Sequence, residues 1–249
     1  MARQIADRFH APPGSDGLYG ERLVRLPGDY ICYAPPPDAP AVTPLPALAR
    51  GHVTFGCFNT LAKVNVEVLG VWAELLQRVP RARLVLQARA FDDAVVRDRF
   101  AALFAGRGVE PARLDLRGGA SPGEVLAAYG EIDLALDPFP YSGGVTTCEA
   151  LWMGVPVITL GGGLAAVSHS TSHLCHAGLG DWIADSAAGY VARAVQWAED
   201  LPALSRLRAT LREQLAASPL CDAAGFTRGL EATFLEMWRD LWAQAPQRQ

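Results

Sequence analysis

From Val53 onward, short apolar runs alternate along the chain with longer segments that have helical periodicity. Runs this short and this continuously apolar are typical of parallel strands buried on both faces. The apolar runs occupy residues 53–58, 83–86, 114–117, 132–136 and 156–160. Between them, apolar side chains recur every three or four residues, as on one face of a helix. The alternation predicts βαβ units and therefore an α/β fold built on a Rossmann-like, doubly wound parallel sheet.

A dense cluster of prolines lies between residues 27 and 50. Because proline has no backbone N–H, this segment is predicted to be an extended connector. We therefore expect a domain boundary near Arg50, with residues 1–50 as an N-terminal extension and Pro-rich linker. Residues 51–249 then form the α/β domain, which ends in helices at 187–199, 201–217 and 222–242. The last helix carries an apolar stripe and is expected to pack over a sheet or a neighbouring domain.

Composition limits the partners and the location of the chain. The 22 basic and 26 acidic residues give a net charge of -4 with no long basic run, so nucleic acid is not expected as a partner. No stretch of about 18 apolar residues is present to span a bilayer, and the N-terminus lacks the apolar core of a signal peptide. Five widely spaced cysteines form no CxxC pair, which indicates reduced thiols. We expect a soluble, cytoplasmic protein that does not bind membranes.

In an open α/β sheet, ligands bind beyond the carboxyl ends of the strands. The loop that follows the first apolar run presents Asn59, Thr60 and Lys63. Lys63 is a candidate to pair with a diphosphate as a point charge. The alternative interpretation is an ordinary, solvated surface lysine.

The loop after the fourth apolar run is the second candidate. Gly143 and Gly144 allow the backbone to approach a ligand closely, and Thr146 and Thr147 lie where the next helix begins. A pyrophosphate would fit there. Glu149, one turn further on, is placed like the carboxylates that accept hydrogen bonds from ribose hydroxyls. The alternative is a glycine turn with a threonine cap, and the spacing alone does not decide between the two.

Three histidines and one cysteine are closely spaced in one later segment. His169, His173 and His176, with Cys175, are spaced as metal ligands on one helical face would be. The segment itself contains no carboxylate to complete such a site. We therefore interpret these histidines as structural and expect no metal.

Several motifs recur here in an order that resembles the SPINDLY-type protein O-GlcNAc transferases. They are FGCFN at 55–59 followed by Lys63, DPFPY at 137–141, TTCEALWMGVPV at 146–157, and SPLCD at 218–222 ahead of a helix ending near MW at 237–238. The likeness covers nearly the whole chain, because residues 7–13 and 19–27 also look like the segment that precedes the family's C-terminal lobe.

This resemblance implies the C-terminal catalytic lobe of a two-lobed GT-B glycosyltransferase, with residues 1–50 as a remnant of the N-terminal lobe. The implied reaction is inverting transfer from UDP-N-acetylglucosamine to a protein Ser or Thr, with no metal ion or other cofactor. Lys63 would be the catalytic residue that contacts the diphosphate, and a separate N-terminal lobe with tetratricopeptide repeats would supply the acceptor site. The implied UDP-sugar-binding residues are Asn59, Thr60, Lys63, Gly143, Gly144, Thr146, Thr147 and Glu149.

Some positions depart from the family pattern. Val125 stands where the family commonly has a histidine, and Val145 replaces a residue of an often threonine-rich loop. Each change removes a polar contact to the nucleotide or sugar. The alternative function is therefore a catalytically silent nucleotide-binding or partner-docking module derived from such an enzyme and lacking its N-terminal lobe. The sequence also does not identify the transferred sugar, because it does not distinguish glucose or fucose from N-acetylglucosamine.

Overall fold

Six short strands form the main sheet, and all of their pairings are parallel. A computed structural model describes residues 2–162 and 168–243. A separate parallel pair near the N-terminus joins β1 and β2. The strands are β1 (Arg3–Asp7), β2 (Arg22–Leu26), β3 (Thr54–Cys57), β4 (Arg83–Gln87), β5 (Leu114–Arg117), β6 (Leu134–Leu136), β7 (Val157–Leu160) and β8 (Ile183–Ala184).

Helices connect the strands and cover the sheet. Trp72 and Leu75 on the second helix are fully buried, in the same core as Phe55 of β3. Such burial provides the apolar transfer energy that holds short parallel strands together. The helices are α1 (Pro46–Arg50), α2 (Val66–Arg78), α3 (Ala94–Ala105), α4 (Pro122–Ala128), α5 (Val145–Trp152), α6 (His169–His176), α7 (Ala187–Glu199), α8 (Leu201–Ala216) and α9 (Ala223–Ala243).

The strand order of the main sheet creates a topological switch point. The order is β5-β4-β3-β6-β7-β8. The chain therefore winds outward from β3 to β5 and then returns to place β6 on the other side of β3. Loops that leave β3 and β6 diverge at this point, so a crevice opens between them at the carboxyl ends of the strands. The α/β architecture and doubly wound sheet predicted from the sequence are confirmed.

The five strands predicted from apolar runs are all present, with ends that differ by at most two residues. The last three helices are also confirmed to within one residue. Strands β1, β2 and β8 were not predicted. The sequences of β1 and β2 are RQIAD and RLVRL, whose charged residues break the continuous apolar pattern, and β8 has only two residues.

The N-terminal strand pair packs against the last helix. Arg3 and Arg22 both lie within 3.5 Å of the Asp240 carboxylate on α9. Ala6, Ala11 and Leu23 form a small buried cluster of their own, separate from the main core. The division of the chain at Arg50 stays a prediction, although α1 does end there.

The apolar stripe of α9 is largely exposed, although the helix contacts the β1–β2 pair. Phe234, Trp238 and Leu241 each expose more than half of their surface. Neighbouring Leu235 and Trp242 are exposed as well. The described helices include none that is long and apolar enough to cross a membrane.

Candidate functional site

The loops after β3 and β6 meet at the switch point. Lys63 lies in the first loop, and its Nζ donates to the Ser142 carbonyl in the second loop over 2.8 Å. The same Nζ lies 3.3 Å from Asn59 Oδ1, which also accepts from Thr146 Oγ1 over 3.1 Å. The structure thus brings together three of the residues predicted from the sequence. We call Asn59, Lys63, Tyr141, Ser142 and Thr146 the switch-point cluster.

Lys63 is the only lysine in the sequence, since all of the other basic residues among the 22 are arginines. It is half-buried, and its Nζ lies 4.5 Å from the centre of the Tyr141 ring. Within the described residues, its hydrogen bonds go to neutral oxygens and it forms no salt bridge. Burial lowers the pKa of Lys63, and the nearby charge of Asp137 opposes this effect. The cluster therefore holds an ammonium group without a carboxylate partner, which leaves it able to pair with an anion.

A buried carboxylate shapes the second loop. Asp137 accepts from the backbone N–H of Gly143 and from the Thr159 hydroxyl, each over 2.6 Å. Burial raises the pKa of Asp137, although these hydrogen bonds and Lys63 oppose the rise. A Cβ at Gly143 would lie 2.6 Å from Thr147 Oγ1, so only glycine fits this close approach. Asp137 was not among the site residues predicted from the sequence.

Helix α5 begins at this loop, and its second residue, Thr146, belongs to the cluster. No hydrogen bond among the described residues uses the backbone N–H of Val145 or Thr146. Such groups at a helix N-terminus form a ready binding site for an anion. Gly144 is the N-cap residue, and it has no side chain that could accept a hydrogen bond from these N–H groups. The Thr147 hydroxyl is buried and bonds to Ser170 Oγ over 2.8 Å, so it is not directed towards a ligand.

A cavity of about 320 Å³ adjoins the switch-point cluster. It is an open crevice between the loops that follow β3, β4 and β5, and Thr60 and Val125 are among the residues that line it. Gln87 also lines it, and the buried Oε1 of this residue has no hydrogen-bond partner in the described part of the chain. The sequence analysis missed Gln87. Its only signal there is a polar residue at the end of the apolar run LVLQ.

Glu149 lies one turn into α5. Its side chain is half-buried, and burial raises the pKa of its carboxyl group. No hydrogen bond to this carboxylate is found among residues 2–162 and 168–243. Glu149 does not line the cavity beside the cluster. It is therefore an available acceptor on the same helix as Thr146, but not a member of the switch-point cluster.

The histidines of α6 contact carboxylates that the local sequence did not reveal. His173 Nδ1 lies 2.8 Å from Asp29 Oδ2, and His176 Nε2 lies 3.9 Å from Asp7 Oδ1. Both carboxylates come from the N-terminal segment. We call Asp7, Asp29, His173 and His176 the N-terminal cluster.

The N-terminal cluster has the spacing of a metal site but lacks the free oxygens. Ligand atoms of Asp7, Asp29 and His176 lie within 4.8 Å of one another. However, the Asp7 carboxylate already accepts from four donors. These are the backbone N–H groups of Phe9, His10 and Tyr30 and the Ser172 hydroxyl. The contacts support a structural role for this cluster, which fastens the N-terminal segment to α6.

Comparison with known proteins places the chain in a family. The sequence profile of glycosyl transferase family 41 matches residues 44–230. The chain belongs to this family. It is 45% identical over 241 residues to the probable UDP-N-acetylglucosamine–peptide N-acetylglucosaminyltransferase SPINDLY of Petunia hybrida. This alignment covers 95% of the chain and 25% of the Petunia protein, so the chain spans about a quarter of its curated relatives. The related SEC protein of Arabidopsis thaliana is 30% identical over 245 residues.

Solved structures agree with the family assignment. The O-GlcNAc transferase of Thermobaculum terrenum superposes with a TM-score of 0.90 at 42% identity, over 96% of this chain and 45% of that one. Anabaena HepE, solved in complex with UDP, superposes with a TM-score of 0.60 at 15% identity, over 93% of this chain and 63% of that one. The second match shows the fold alone. This family 41 chain therefore has the Rossmann-like fold of a GT-B glycosyltransferase lobe.

Proposed function

We propose that this family 41 chain binds UDP-N-acetylglucosamine and supports inverting transfer of the sugar to Ser or Thr hydroxyls of proteins. The observation that carries the proposal is the environment of Lys63. The only lysine of the chain lies at the switch point without a carboxylate partner among the described residues. It adjoins the loop that leads into α5, whose first N–H groups have no acceptor there. A diphosphate would bind to the Lys63 ammonium and to these N–H groups.

The chemistry of transfer explains why an ammonium group is needed at this position. When the bond between the anomeric carbon and the diphosphate breaks, negative charge develops on the leaving UDP. Lys63 and the first turn of α5 would stabilise that charge, which makes Lys63 the proposed catalytic residue. The acceptor hydroxyl attacks the opposite face of the anomeric carbon as the bond to the diphosphate breaks, and its proton passes to a phosphate oxygen of the departing UDP or to solvent, so the configuration inverts. No metal ion is required in this scheme.

The remaining parts of the nucleotide have candidate positions nearby. The cavity beside the cluster would hold the base, with the unpartnered amide of Gln87 as a hydrogen-bonding group. Asn59 and Thr60 would flank the nucleotide, and Glu149 would accept hydrogen bonds from the ribose hydroxyls. Gly143 and Gly144 would allow the pyrophosphate to approach the backbone, and the free N–H groups of Val145 and Thr146 belong to the first turn of α5. The backbone N–H of Thr147 already donates to the Gly144 carbonyl over 3.0 Å.

The acceptor side of the reaction requires a second protein surface. The relatives are about four times as long as the matched region, so they contain much that this chain does not match. We propose that an N-terminal lobe with tetratricopeptide repeats faces the switch point and binds the acceptor protein. The exposed apolar side chains of α9 support such a partner, because apolar stripes of this size are usually covered.

A second candidate function is a catalytically silent module that binds nucleotide or docks with a partner. Val145 favours it, because this residue exposes an isopropyl group in the first turn of α5. Val125 adds an apolar side chain to the cavity lining. Incubation with UDP-N-acetylglucosamine in the presence of a partner lobe separates the two functions. Release of UDP supports transfer, whereas UDP binding without any release supports the silent module.

Calorimetric titration with UDP tests the proposed donor site. We expect Lys63→Ala to weaken UDP binding about 10- to 100-fold, because a hydrogen bond to a charged group contributes about 1.5–3 kcal/mol. Arg81→Ala is the control, since it removes an exposed cation outside the cluster and should leave the affinity unchanged. Absence of UDP binding by the unmodified protein at millimolar concentration would contradict the proposal. Parallel titrations with UDP-N-acetylglucosamine, UDP-glucose and GDP-fucose identify the sugar nucleotide.

A further inference from the structure

A second cavity, of about 410 Å³, opens on one face of the sheet, and its lining extends from the first residues of β3 and β4 along β5 to Arg117. Thr54 and Arg83 line it, and these are the first residues of β3 and β4. Asn59 of the switch-point cluster lies five residues further along from Thr54. Extended chain of that length spans on the order of 15 Å. Thr54 therefore lies towards the opposite end of β3 from the proposed donor site, and the two cavities share no lining residue.

The cavity carries an excess of positive charge. Four arginines and two carboxylates line it, which gives a net charge of +2 with His52 neutral. Both carboxylates are already paired, because Arg117 lies 2.7 Å from Asp115 and 2.8 Å from Glu131. Arg50 and Arg83 form no salt bridge within the described residues. The pairing leaves Arg83 without a counter-charge, whereas Arg50 lies near the buried Asp133 carboxylate without forming a salt bridge to it.

The two unpaired arginines retain free donors. Arg50 donates one N–H to the Glu131 carbonyl over 2.7 Å, which positions its guanidinium and leaves its other N–H groups unused. The Arg83 side chain is exposed and makes no hydrogen bond to the part of the chain that the structure describes. Guanidinium groups with free N–H forks match the geometry of phosphate oxygens. An anion with two or more oxygens would bind both.

Thr54 supplies an independent observation at the same place. Its side chain is 2% exposed, and its hydroxyl has no hydrogen-bond partner among the described residues. A buried hydroxyl without a partner costs free energy, so such groups normally find an acceptor or donor. Thr54 lines the cavity between the first residues of β4 and the Arg50 segment. A ligand oxygen bound by the arginines would also provide the missing partner.

We propose that this cavity binds a small molecule that carries a phosphate group. Arg50 and Arg83 contact the phosphate oxygens, and the Thr54 hydroxyl donates a hydrogen bond to one of them. A phosphate, with a charge near -2, matches the +2 excess of the lining better than a single carboxylate does. The proposal does not depend on the activity of the donor site.

Calorimetry in a Lys63→Ala background tests the site without interference from the switch-point cluster. The probes are inorganic phosphate and glucose 6-phosphate at constant ionic strength. We expect Arg83→Ala to weaken binding about tenfold or more, since charged hydrogen bonds are lost. Arg206→Ala is the control, because this exposed arginine lies on α8 and is not part of the lining. Tighter binding of the ester than of free phosphate assigns the site to a phosphorylated metabolite, and equal binding assigns it to phosphate itself.

Thr54→Val separates a binding role from a structural one. Removing a buried, unpartnered hydroxyl should leave the free energy of unfolding unchanged or raise it, while phosphate affinity falls severalfold. Loss of affinity without loss of stability supports the site. Equal phosphate binding by the Lys63→Ala protein and by its Arg83→Ala and Thr54→Val derivatives would overturn the proposal, as would no binding by any of them.

Discussion

The switch-point cluster and the N-terminal cluster both contain charged side chains, but these side chains differ in burial and in hydrogen bonding. In the N-terminal cluster, the Asp7 carboxylate is fully buried and accepts from four donors. In the switch-point cluster, the Lys63 ammonium is half-buried and has only neutral acceptors. The first arrangement uses its hydrogen-bonding capacity within the protein. In the second arrangement, the Lys63 ammonium can still pair with a charged ligand.

The difference shows how the two kinds of site are distinguished. A saturated buried charge holds segments together, because removing it leaves several donors without an acceptor. A charged group whose partners are neutral oxygens, beside backbone N–H groups that have no acceptor, contributes little to folding and is available for binding. Changes in the N-terminal cluster should therefore lower stability, whereas changes at Lys63 should lower affinity for nucleotide.

Asp7→Asn should have the largest effect. We expect it to lower the free energy of unfolding by about 3 kcal/mol at pH 7, because four donors lose a charged acceptor. Urea denaturation measures the change. Asp240→Asn is the control, since that carboxylate is partly exposed and its two salt bridges are long, at 3.4 and 3.5 Å, so its loss should cost about 1 kcal/mol or less. Equal costs for both variants would contradict the assignment of a structural role to the N-terminal cluster.

The cost of Asp7→Asn should also depend on pH. Burial alone would raise the pKa of Asp7, but the nearby His176 and the hydrogen bonds from Ser172 and the backbone outweigh it and lower the pKa. The stabilisation is therefore present above the unfolded value of about 3.9 and is lost as the pH falls through the lower folded value. Denaturation at pH 7, 5 and 3 should show the same cost at the first two values and a smaller one at the third. A cost that grows towards low pH would show that the pKa is not lowered.

Gly143→Ala should lower both the stability of the protein and its affinity for nucleotide. The added Cβ would lie 2.6 Å from Thr147 Oγ1 and 2.9 Å from Asp137 Oδ1, so the loop must shift. We expect a loss of about 2 kcal/mol in stability, as is usual for overpacking, together with weaker UDP binding. Gly70→Ala is the control, because nothing lies within 4 Å of the added Cβ in α2 and the change should stabilise the helix by up to ~1 kcal/mol. Unchanged UDP affinity in Gly143→Ala would remove this loop from the binding site.

Glu149→Gln should have the smallest effect and the most selective one. If Glu149 accepts hydrogen bonds from the ribose, UDP affinity should fall about tenfold, or ~1.4 kcal/mol, while pyrophosphate affinity is unchanged. Stability should not fall, since burial already disfavours the charged carboxylate. Calorimetry with both ligands measures the ratio. An equal loss of affinity for UDP and pyrophosphate would indicate that Glu149 acts on the phosphates and not on the ribose.

The sequence predicted the part of the fold that depends on local patterns. Buried parallel strands such as β3 and β4 are continuous apolar runs, and the long helices have a clear period. The sequence did not predict β1 and β2, because they are charged segments whose paired residues, such as Arg3 and Arg22, lie 19 positions apart. The Asp29–His173 contact spans 144 residues, which no local pattern reports.

The same limit applies to the candidate site. Lys63 and Thr146 were predicted because each follows a strand in the sequence, and the structure brings both to Asn59. Gln87 and Asp137 were missed, since their roles depend on which loops become neighbours. The Thr147 hydroxyl was expected to face a ligand, but its contact with Ser170 exists only in the folded chain.

The most direct test of the account uses the single lysine. Protein labelled with ¹³C at the lysine Cε gives one lysine side-chain signal in an NMR spectrum, so the pKa of Lys63 is read from one titration. The account predicts a pKa below the ordinary value of about 10.4 in the free protein, because the ammonium is partly buried, and a clear rise when UDP is bound. A signal whose pKa and chemical shift do not change at saturating UDP would contradict the claim that Lys63 binds the diphosphate.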